Sequence, residues 1–424
     1  QQQRHSPRHS NSSKSVMNPN SPIPINERRT VWGISQLIIL GSILVLVLSF
    51  RSSGAEIENQ TTEIASSVET DELPPTDTTQ SEENSVRSFT LAASGEILVH
   101  EFVADAARSS DGASWNFEYM FDSVKQVFES ADLSLCHLET PLSDDNSRLS
   151  YYPNFEVPYQ LADAISSAQY DGCSVASNHS LDAGTTGISN TLTQLNRVGV
   201  LAAGMSLSDE KPTASFFEVE GISVAHLSVT DVLNSSELPT DPVWLIADLD
   251  IGRIISDAEQ ARSEGADFII VSVHWGEEYI STLSTHQEET VIQLLDSKYI
   301  DLVIGHGTHV PQSVIFHNQK YGIAGLGNFL SNQPGDERRR CNECPPATQD
   351  GMVVWLEIAE NDNGEFLVVE ASYYPTWVDR STYEIILLGL SDTSELDSET
   401  LSASADRTAE VVEPILSRLN SLPN

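Results

Sequence analysis

The chain has 424 residues, with 62 Asp and Glu against 22 Lys and Arg and a formal net charge of −40. Such a charge repels nucleic acid, and it also repels a free polyanion unless cations screen it or a local basic site overrides it. The 39% hydrophobic share permits a sizeable core, and no internal repeat points to a solenoid.

Residues 1–30 are rich in Ser, Asn, Gln and Pro, with Arg4, Arg8, Lys14, Arg28 and Arg29 against a single acid, Glu27. They are expected to form a disordered cytoplasmic arm. Val31 to Phe50 carries no charge and is long enough, at about 1.5 Å per residue, to cross a hydrocarbon core of about 30 Å. A single transmembrane helix over 31–50 is expected. A cleaved signal peptide is the competing reading, but the apolar run is long for one and no clear cleavage site follows. The basic flank places the N-terminus in the cytoplasm and the remaining chain outside the cell membrane. Residues 51–87, acidic and poor in large apolar side chains, read as a disordered linker.

From residue 88 the pattern becomes that of an α/β domain, expected over 88–385. Ser88–Val99 is a buried strand with Glu96 near its end, where a carboxylate can ligate a metal. His100 follows, as a helper or a plain surface residue. Phe117–Phe128 has helical apolar spacing. Ala131–Cys136 is a second strand that delivers His137, Glu139 and Thr140. Tyr159–Gln169 is an amphipathic helix that leads to the strand ending at Ala176.

Ser177, Asn178, His179 and Asp182 then arrive together at a strand's C-terminal edge, where open α/β sheets place their sites. An amide oxygen from Asn178 can bind a cation and the His179 imidazole can move a proton. Asp182 can orient the histidine or cap the next helix, Gly187–Arg197. The plain alternative is an Asn-His-Ser turn with an N-cap.

Phe216–Glu220 and Ile222–Ser228 form a hairpin about Gly221, and 230–247 reads as a long loop. After a helix at Ile251–Arg262, the apolar run Ala266–Val273 is a buried parallel strand ending in His274, Trp275, Gly276, Glu277 and Glu278. A helix around Val291–Leu295 precedes the strand Ile300–Ile304 and then Gly305, His306, Gly307, Thr308 and His309. Arg338, Arg339 and Arg340 are the one basic cluster beyond the N-terminal arm, a candidate grip for an anionic substrate or a solvated loop. Cys341 and Cys344 have the spacing of a small disulfide ring or of half a zinc site, and a disulfide is expected in an exterior location. Strands at Met352–Ile358 and Phe366–Tyr374 flank the turn at 361–364. Residues 386–424 form an acidic tail whose helix, Ala403–Leu419, is interrupted or restarted at Pro414.

The strand-end stretches Gly95-Glu96, His137-Leu138-Glu139, Asn178-His179, His274-Trp275-Gly276 with Glu278, Gly305-His306-Gly307-Thr308-His309 and Gly327-Asn328-Phe329 together resemble the poly-γ-glutamate capsule-synthesis (CapA-like) family, over about residues 88 to 380. The resemblance implies a fold related to calcineurin-like metallophosphoesterases, an α/β sandwich of two central mixed sheets flanked by helices. It implies metal ligation by Glu96, Glu139, Asn178, His274, His306 and His309, with Glu139 as a bridging carboxylate. Catalytic work falls to His179, Asp182 and Glu278, and substrate contact to Asn328 beside the arginines. In this chain Glu96 stands where the family usually has Asp, His137 where it has Asn and Thr308 where it has Pro.

The function that the resemblance implies is a membrane-anchored, metal-dependent hydrolase of the cell envelope. It would use one or two divalent ions, of which Mn, Fe or Zn are suitable, to act on a phosphoester or on the γ-glutamyl polymer itself. Other polymer-synthesis proteins are expected partners and nucleic acid is not. The alternative is a non-catalytic component of a polymer-synthesis or export complex that retains the fold.

Overall fold

The computed structural model describes residues 86–207, 214–234, 245–334, 341 and 343–423. The expected arm, membrane helix and most of the linker lie outside these residues, as do Arg338, Arg339 and Arg340. Among the described residues no helix is long and apolar enough to cross a membrane.

Strands β1 (Ser88–Ile97), β2 (Leu133–Leu138), β3 (Gly172–Ser174) and β4 (Leu201–Ala203) lie side by side and parallel. Strands β5 (Ser215–Val219), β6 (Ile222–Thr230), β7 (Phe268–His274), β8 (Leu302–His306), β9 (Val314–His317) and β10 (Lys320–Ile323) form a second sheet in the order β5-β6-β7-β8-β10-β9. The first sheet is completed by β11 (Asn328–Leu330), β12 (Asp350–Glu360), β13 (Phe366–Val378), β14 (Ile385–Leu387) and β15 (Ser417–Arg418). Both sheets are mixed: β12 runs antiparallel to β1, and β5 and β9 run antiparallel at the two edges of the second.

The period of two along each strand builds the layers. Phe89, Leu91 and Ala93 on β1 meet Phe268 and Ile270 on β7 between the sheets, while Ala92 faces the outer helices of its own sheet. Ile269, Val271 and Val273 point the other way, under the helices α5 and α6 named below. Each such Leu, Ile or Phe contributes about 1.5–3 kcal/mol on burial. The α/β class and the two mixed sheets expected from sequence are what is found.

Helices α1 (Glu101–Ala107), α2 (Lys125–Glu129), α3 (Gln160–Ser167), α4 (Gly184–Arg197), α5 (Ile251–Ser263), α6 (Thr285–Asp296) and α7 (Ser398–Val412) supply the crossovers and the C-terminal pack. The continuous helix expected over Phe117–Phe128 is instead a 3-10 turn, Glu118–Phe121, followed by the short α2. Its apolar residues are all buried, so the spacing recorded the buried face and not the helix type. Helix α6 contains the expected Val291–Leu295 and starts at Thr285, where Ser284 and Gln287 form a capping box. The expected break at Pro414 ends α7 at Val412, and the chain after it adds β15 to β13. Residues 386–423 therefore continue the first sheet and its cover.

Candidate functional site

The parallel register decides which side chains meet. In the first sheet Glu96 pairs with His137 and His137 with Ser174; in the second Thr230 pairs with His274 and His274 with His306. These rungs lie at the C-terminal ends of β1, β2, β3, β7 and β8, so the two sheets carry one row each to the same end of the sandwich. Thus Glu96, Glu139, Asn178, His179, His274, His306 and His309, chosen from sequence, all sit at that end.

Two carboxylates define the electrostatics. Glu96 and Glu139 are 0% and 1% exposed, and among the described residues neither forms an ion pair with a Lys or Arg. Glu96 Oε1 accepts the Gly307 amide at 2.5 Å, while its Oε2 and both oxygens of Glu139 have no hydrogen-bond partner. Burial pushes the Glu96 carboxyl up to about 8, opposed by the Gly307 N–H. Burial, then the charges of Glu96, Glu278 and Asp182, push Glu139 well above the carboxylate range. A buried carboxylate without a counter-charge is costly, so this pair calls for protons or a cation.

Imidazoles surround them. His309 Nε2 lies 3.9 Å and His179 Nε2 4.0 Å from Glu139 Oε1. His137 Nε2 is 3.0 Å from His274 Nδ1, and the His137 ring stacks on His306 with centroids 4.2 Å apart. Burial, followed by the neighbouring imidazoles, drives His137, His274 and His306 well below the usual histidine value. Burial also lowers His309, and it lowers His100 to about 3.

Asn178 and His179 occupy the turn after β3. His179 Nδ1 lies 2.6 Å from Asp182 Oδ2, which also accepts the Phe155 amide at 2.8 Å. The Phe155 ring meets His179 edge-on at 4.6 Å. Asp182 thus orients His179, the first of its two expected roles, while Ala183 stands at the N-cap of α4. Asn178 Oδ1 is buried without a partner.

The loop after β8 is shaped by small groups. Gly307 has φ +95°, and a Cβ there would lie 2.8 Å from His274 Nε2, so only glycine fits against that ring. Thr308 donates its hydroxyl to the Val310 carbonyl at 2.9 Å, and Tyr279 N donates to the Thr308 carbonyl at 2.8 Å. These bonds hold the loop at the position where the family usually has a proline. Asn328, expected to touch substrate, has its Oδ1 3.1 Å from His309 Nδ1 and donates its amide to Gln333 and the Thr348 carbonyl. Its three amide contacts go to the protein, so it holds His309. Glu278 is exposed on the loop past His274, next to Tyr279, whose ring stacks on His309 at 5.8 Å.

The donor types suit a divalent cation. Unpartnered buried atoms include Glu96 Oε2, both Glu139 oxygens, Asn178 Oδ1 and His306 Nδ1. The 3.9 and 4.0 Å gaps about Glu139 match the roughly 3–4 Å between two donors that each stand about 2.1 Å from one ion. Even so, among the described residues no three His, Cys, Asp or Glu side chains form a ready-made metal cage. Asn178 is of another residue type, and the imidazole contacts are drawn towards each other instead of a common centre.

Sequence reasoning missed several contributors. Ser174 binds His137 Nδ1 at 2.8 Å, and Asn234 Nδ2 reaches the His179 ring at 3.2 Å. Asn234 lies on an irregular loop with no pattern to mark it. The expected disulfide Cys341–Cys344 is present, and so is a second, Cys136–Cys173, across β2 and β3. Each of those cysteines precedes a site residue on its strand, a signal visible only once the two strands are known to be neighbours.

A two-sheet α/β sandwich with carboxylates, an amide and imidazoles at its parallel strand ends belongs to the class that builds its site on strand-end loops. Residues 90–333 match the family described as bacterial capsule synthesis protein PGA_cap, more than half of the chain, and the chain belongs to that family. It is 25% identical over 287 residues to the PGA biosynthesis protein CapA of Bacillus subtilis, covering 65% of this chain and 69% of that protein. To the capsule biosynthesis protein CapA of Bacillus anthracis it is 26% identical over 254 residues, covering 58% and 60%. Among solved structures, a phosphatase from Mycoplasma pneumoniae is similar at TM-score 0.43 and 11% identity, over 75% of this chain and 100% of that one. The calcineurin-like phosphoesterase YfkN of Bacillus subtilis is similar at TM-score 0.41 and 13% identity, over 77% and 98%. These two likenesses are loose, and no residue's role rests on them.

Proposed function

We propose that the chain is a divalent-cation-dependent hydrolase of the cell envelope that acts in the synthesis or processing of a capsule polymer such as poly-γ-glutamate. It would be held at the membrane by a single span over 31–50, with the described domain outside the cell. The observation that carries the reading is the pair Glu96 and Glu139, buried together with unpartnered oxygens and no basic counter-charge. The names of the CapA relatives support the polymer. Glu96, Glu139, Asn178, His274, His306 and His309 would hold one or two ions, of which Mn, Fe or Zn suit the mixed oxygen and nitrogen donors. When bound, the cation would neutralise the carboxylates and bring the pKa of water towards 7.

The chain's own residues do the rest. His179 has its Nδ1 held by Asp182, which fixes the ring so that Nε2 could pass a proton to a leaving group. Phe155 packs against that ring and limits water around it. Asn328 fixes His309 through Nδ1. Glu278 is exposed on the loop past His274 and would meet substrate there. The substrate is an anionic polymer or phosphoester, and Arg338, Arg339 and Arg340 are proposed to offset the acidity of the chain around it.

A second reading, a non-catalytic component of a polymer-synthesis or export complex, is favoured by one observation: no three His, Cys, Asp or Glu among the described residues form a cage. Hydrolysis of a generic phosphodiester by the purified chain, with and without Mn²⁺, Fe²⁺ or Zn²⁺, separates the two. Cation-dependent turnover that vanishes in Glu139→Gln supports the enzyme. Cation uptake with no turnover on phosphodiester or γ-glutamyl polymer supports the scaffold.

A further inference from the structure

Strands β2 and β3 meet at the floor of the site in a way that bears on one ligand. Cys136 and Cys173 are register partners joined by a disulfide, and the next rung is His137 opposite Ser174. Ser174 Oγ lies 3.3 Å from the Cys136 carbonyl oxygen, to which it donates, and 2.8 Å from His137 Nδ1. A hydroxyl has one proton and two lone pairs. With the proton directed at the carbonyl, Ser174 accepts an N–H from His137 Nδ1. In a neutral imidazole the other nitrogen then accepts, and His137 Nε2 faces His274 Nδ1 at 3.0 Å. Two ring nitrogens at that distance share one proton, which in this arrangement sits on His274 Nδ1.

We propose that Ser174 and His137 are positioning residues that fix the tautomer of His274, protonated at Nδ1 and bare at Nε2. Its consequence for cation binding rests on the reading of His274 as a ligand; the tautomer itself does not. The bare Nε2 lies at the Gly307 backbone, on the side of the site where Glu96 Oε1 accepts the Gly307 amide. A metal-binding histidine commonly donates its second N–H to a neighbouring acceptor. Here that acceptor is a second histidine, whose own tautomer is set by a serine. The disulfide holds the register that brings this chain of three side chains into line.

The test is a long-range ¹H–¹⁵N spectrum of the imidazoles in the ¹⁵N-labelled full chain, freed of metal by chelator, with His274 assigned by its absence from the His274→Gln spectrum. The expected result is Nδ1–H and bare Nε2 at His274 in the wild type. Ser174→Ala should give mixed tautomers, a melting temperature lowered by only a few degrees for the His137 N–H left unpaired, and a zinc affinity roughly 10- to 100-fold weaker. Ser174→Thr, which keeps the hydroxyl, should restore the wild-type pattern. A wild-type His274 protonated at Nε2, or a tautomer unmoved in a folded Ser174→Ala, overturns the proposal. The tautomer is read without metal, so a bare Nε2 in a protein that takes up no zinc would sink the cation reading and sustain this one.

Discussion

Gly307→Ala puts the tightest joint of the site under load. Gly307 has φ +95°, and an added Cβ would stand 2.8 Å from His274 Nε2 and 3.0 Å from Cδ2 and Cε1, over the ring. A side chain in that backbone region costs on the order of 1–3 kcal/mol. His274 is buried and bonded to His137, so it yields little, and overpacking adds about 1–3 kcal/mol. The expected total is about 2–6 kcal/mol. At roughly 1.5 °C per kcal/mol for a domain of more than 300 residues, the melting temperature should fall by about 3–9 °C. Gly199→Ala is the control, because Gly199 has φ +82° and nothing lies within 4 Å of its added Cβ. It should show the backbone cost alone. Because the Gly307 amide also holds Glu96, zinc affinity measured by calorimetry should fall in Gly307→Ala and stay unchanged in Gly199→Ala. Equal destabilisation in the two variants, with equal zinc affinity, would refute the packing of Gly307 against His274.

His179→Ala should keep the fold and most of the bound cation but lose rate by roughly 10²- to 10⁴-fold, and Asp182→Asn should lose less, as measured by initial rates and metal analysis on one preparation. Unchanged specific activity in both removes the pair from the mechanism. The pH dependence of stability has a definite sign: burial raises the Glu96 carboxyl from its ordinary 4.5 to about 8, so the folded protein holds a proton that the unfolded chain releases. Cation-free wild type should therefore lose thermal stability relative to Glu96→Gln as pH rises from about 4.5 to about 8, the opposite contribution of the neutral buried histidines cancelling in that difference, and Mn²⁺ should recover the loss at the upper end; a difference between the two that does not move across that window would count against the burial of an ionisable Glu96. Protease added to intact cells should remove the C-terminal domain, and its protection behind a sealed membrane would reverse the proposed orientation.

Strands β1, β2 and β7 were legible because they are largely buried and read as apolar runs, as at Phe268–Val273, and because each, like β8, ends in a cluster of chemical side chains. Helix type was less so. Phe117, Met120, Phe121, Val124 and Phe128 are all buried, and the same spacing serves a 3-10 turn followed by a short helix. The ligand candidates were visible as residue types at strand ends, but their second partners were not. Ser174 gains its place only through register with His137, and Cys136–Cys173 only through the adjacency of β2 and β3. Asn328 shows the converse: its place in a motif was legible, but not that its amide is committed to His309, Gln333 and Thr348. Pairing across a sheet is a non-local fact, and a single sequence does not print it.

The most direct test is the metal content of the full chain, purified without chelator and measured by elemental analysis, then repeated after dialysis against excess Mn²⁺, Fe²⁺ or Zn²⁺. Two buried carboxylates without a counter-charge predict at least one divalent ion per folded chain, lost in Glu139→Gln. A folded wild-type protein that holds no divalent ion, and takes up none from excess, would contradict the account.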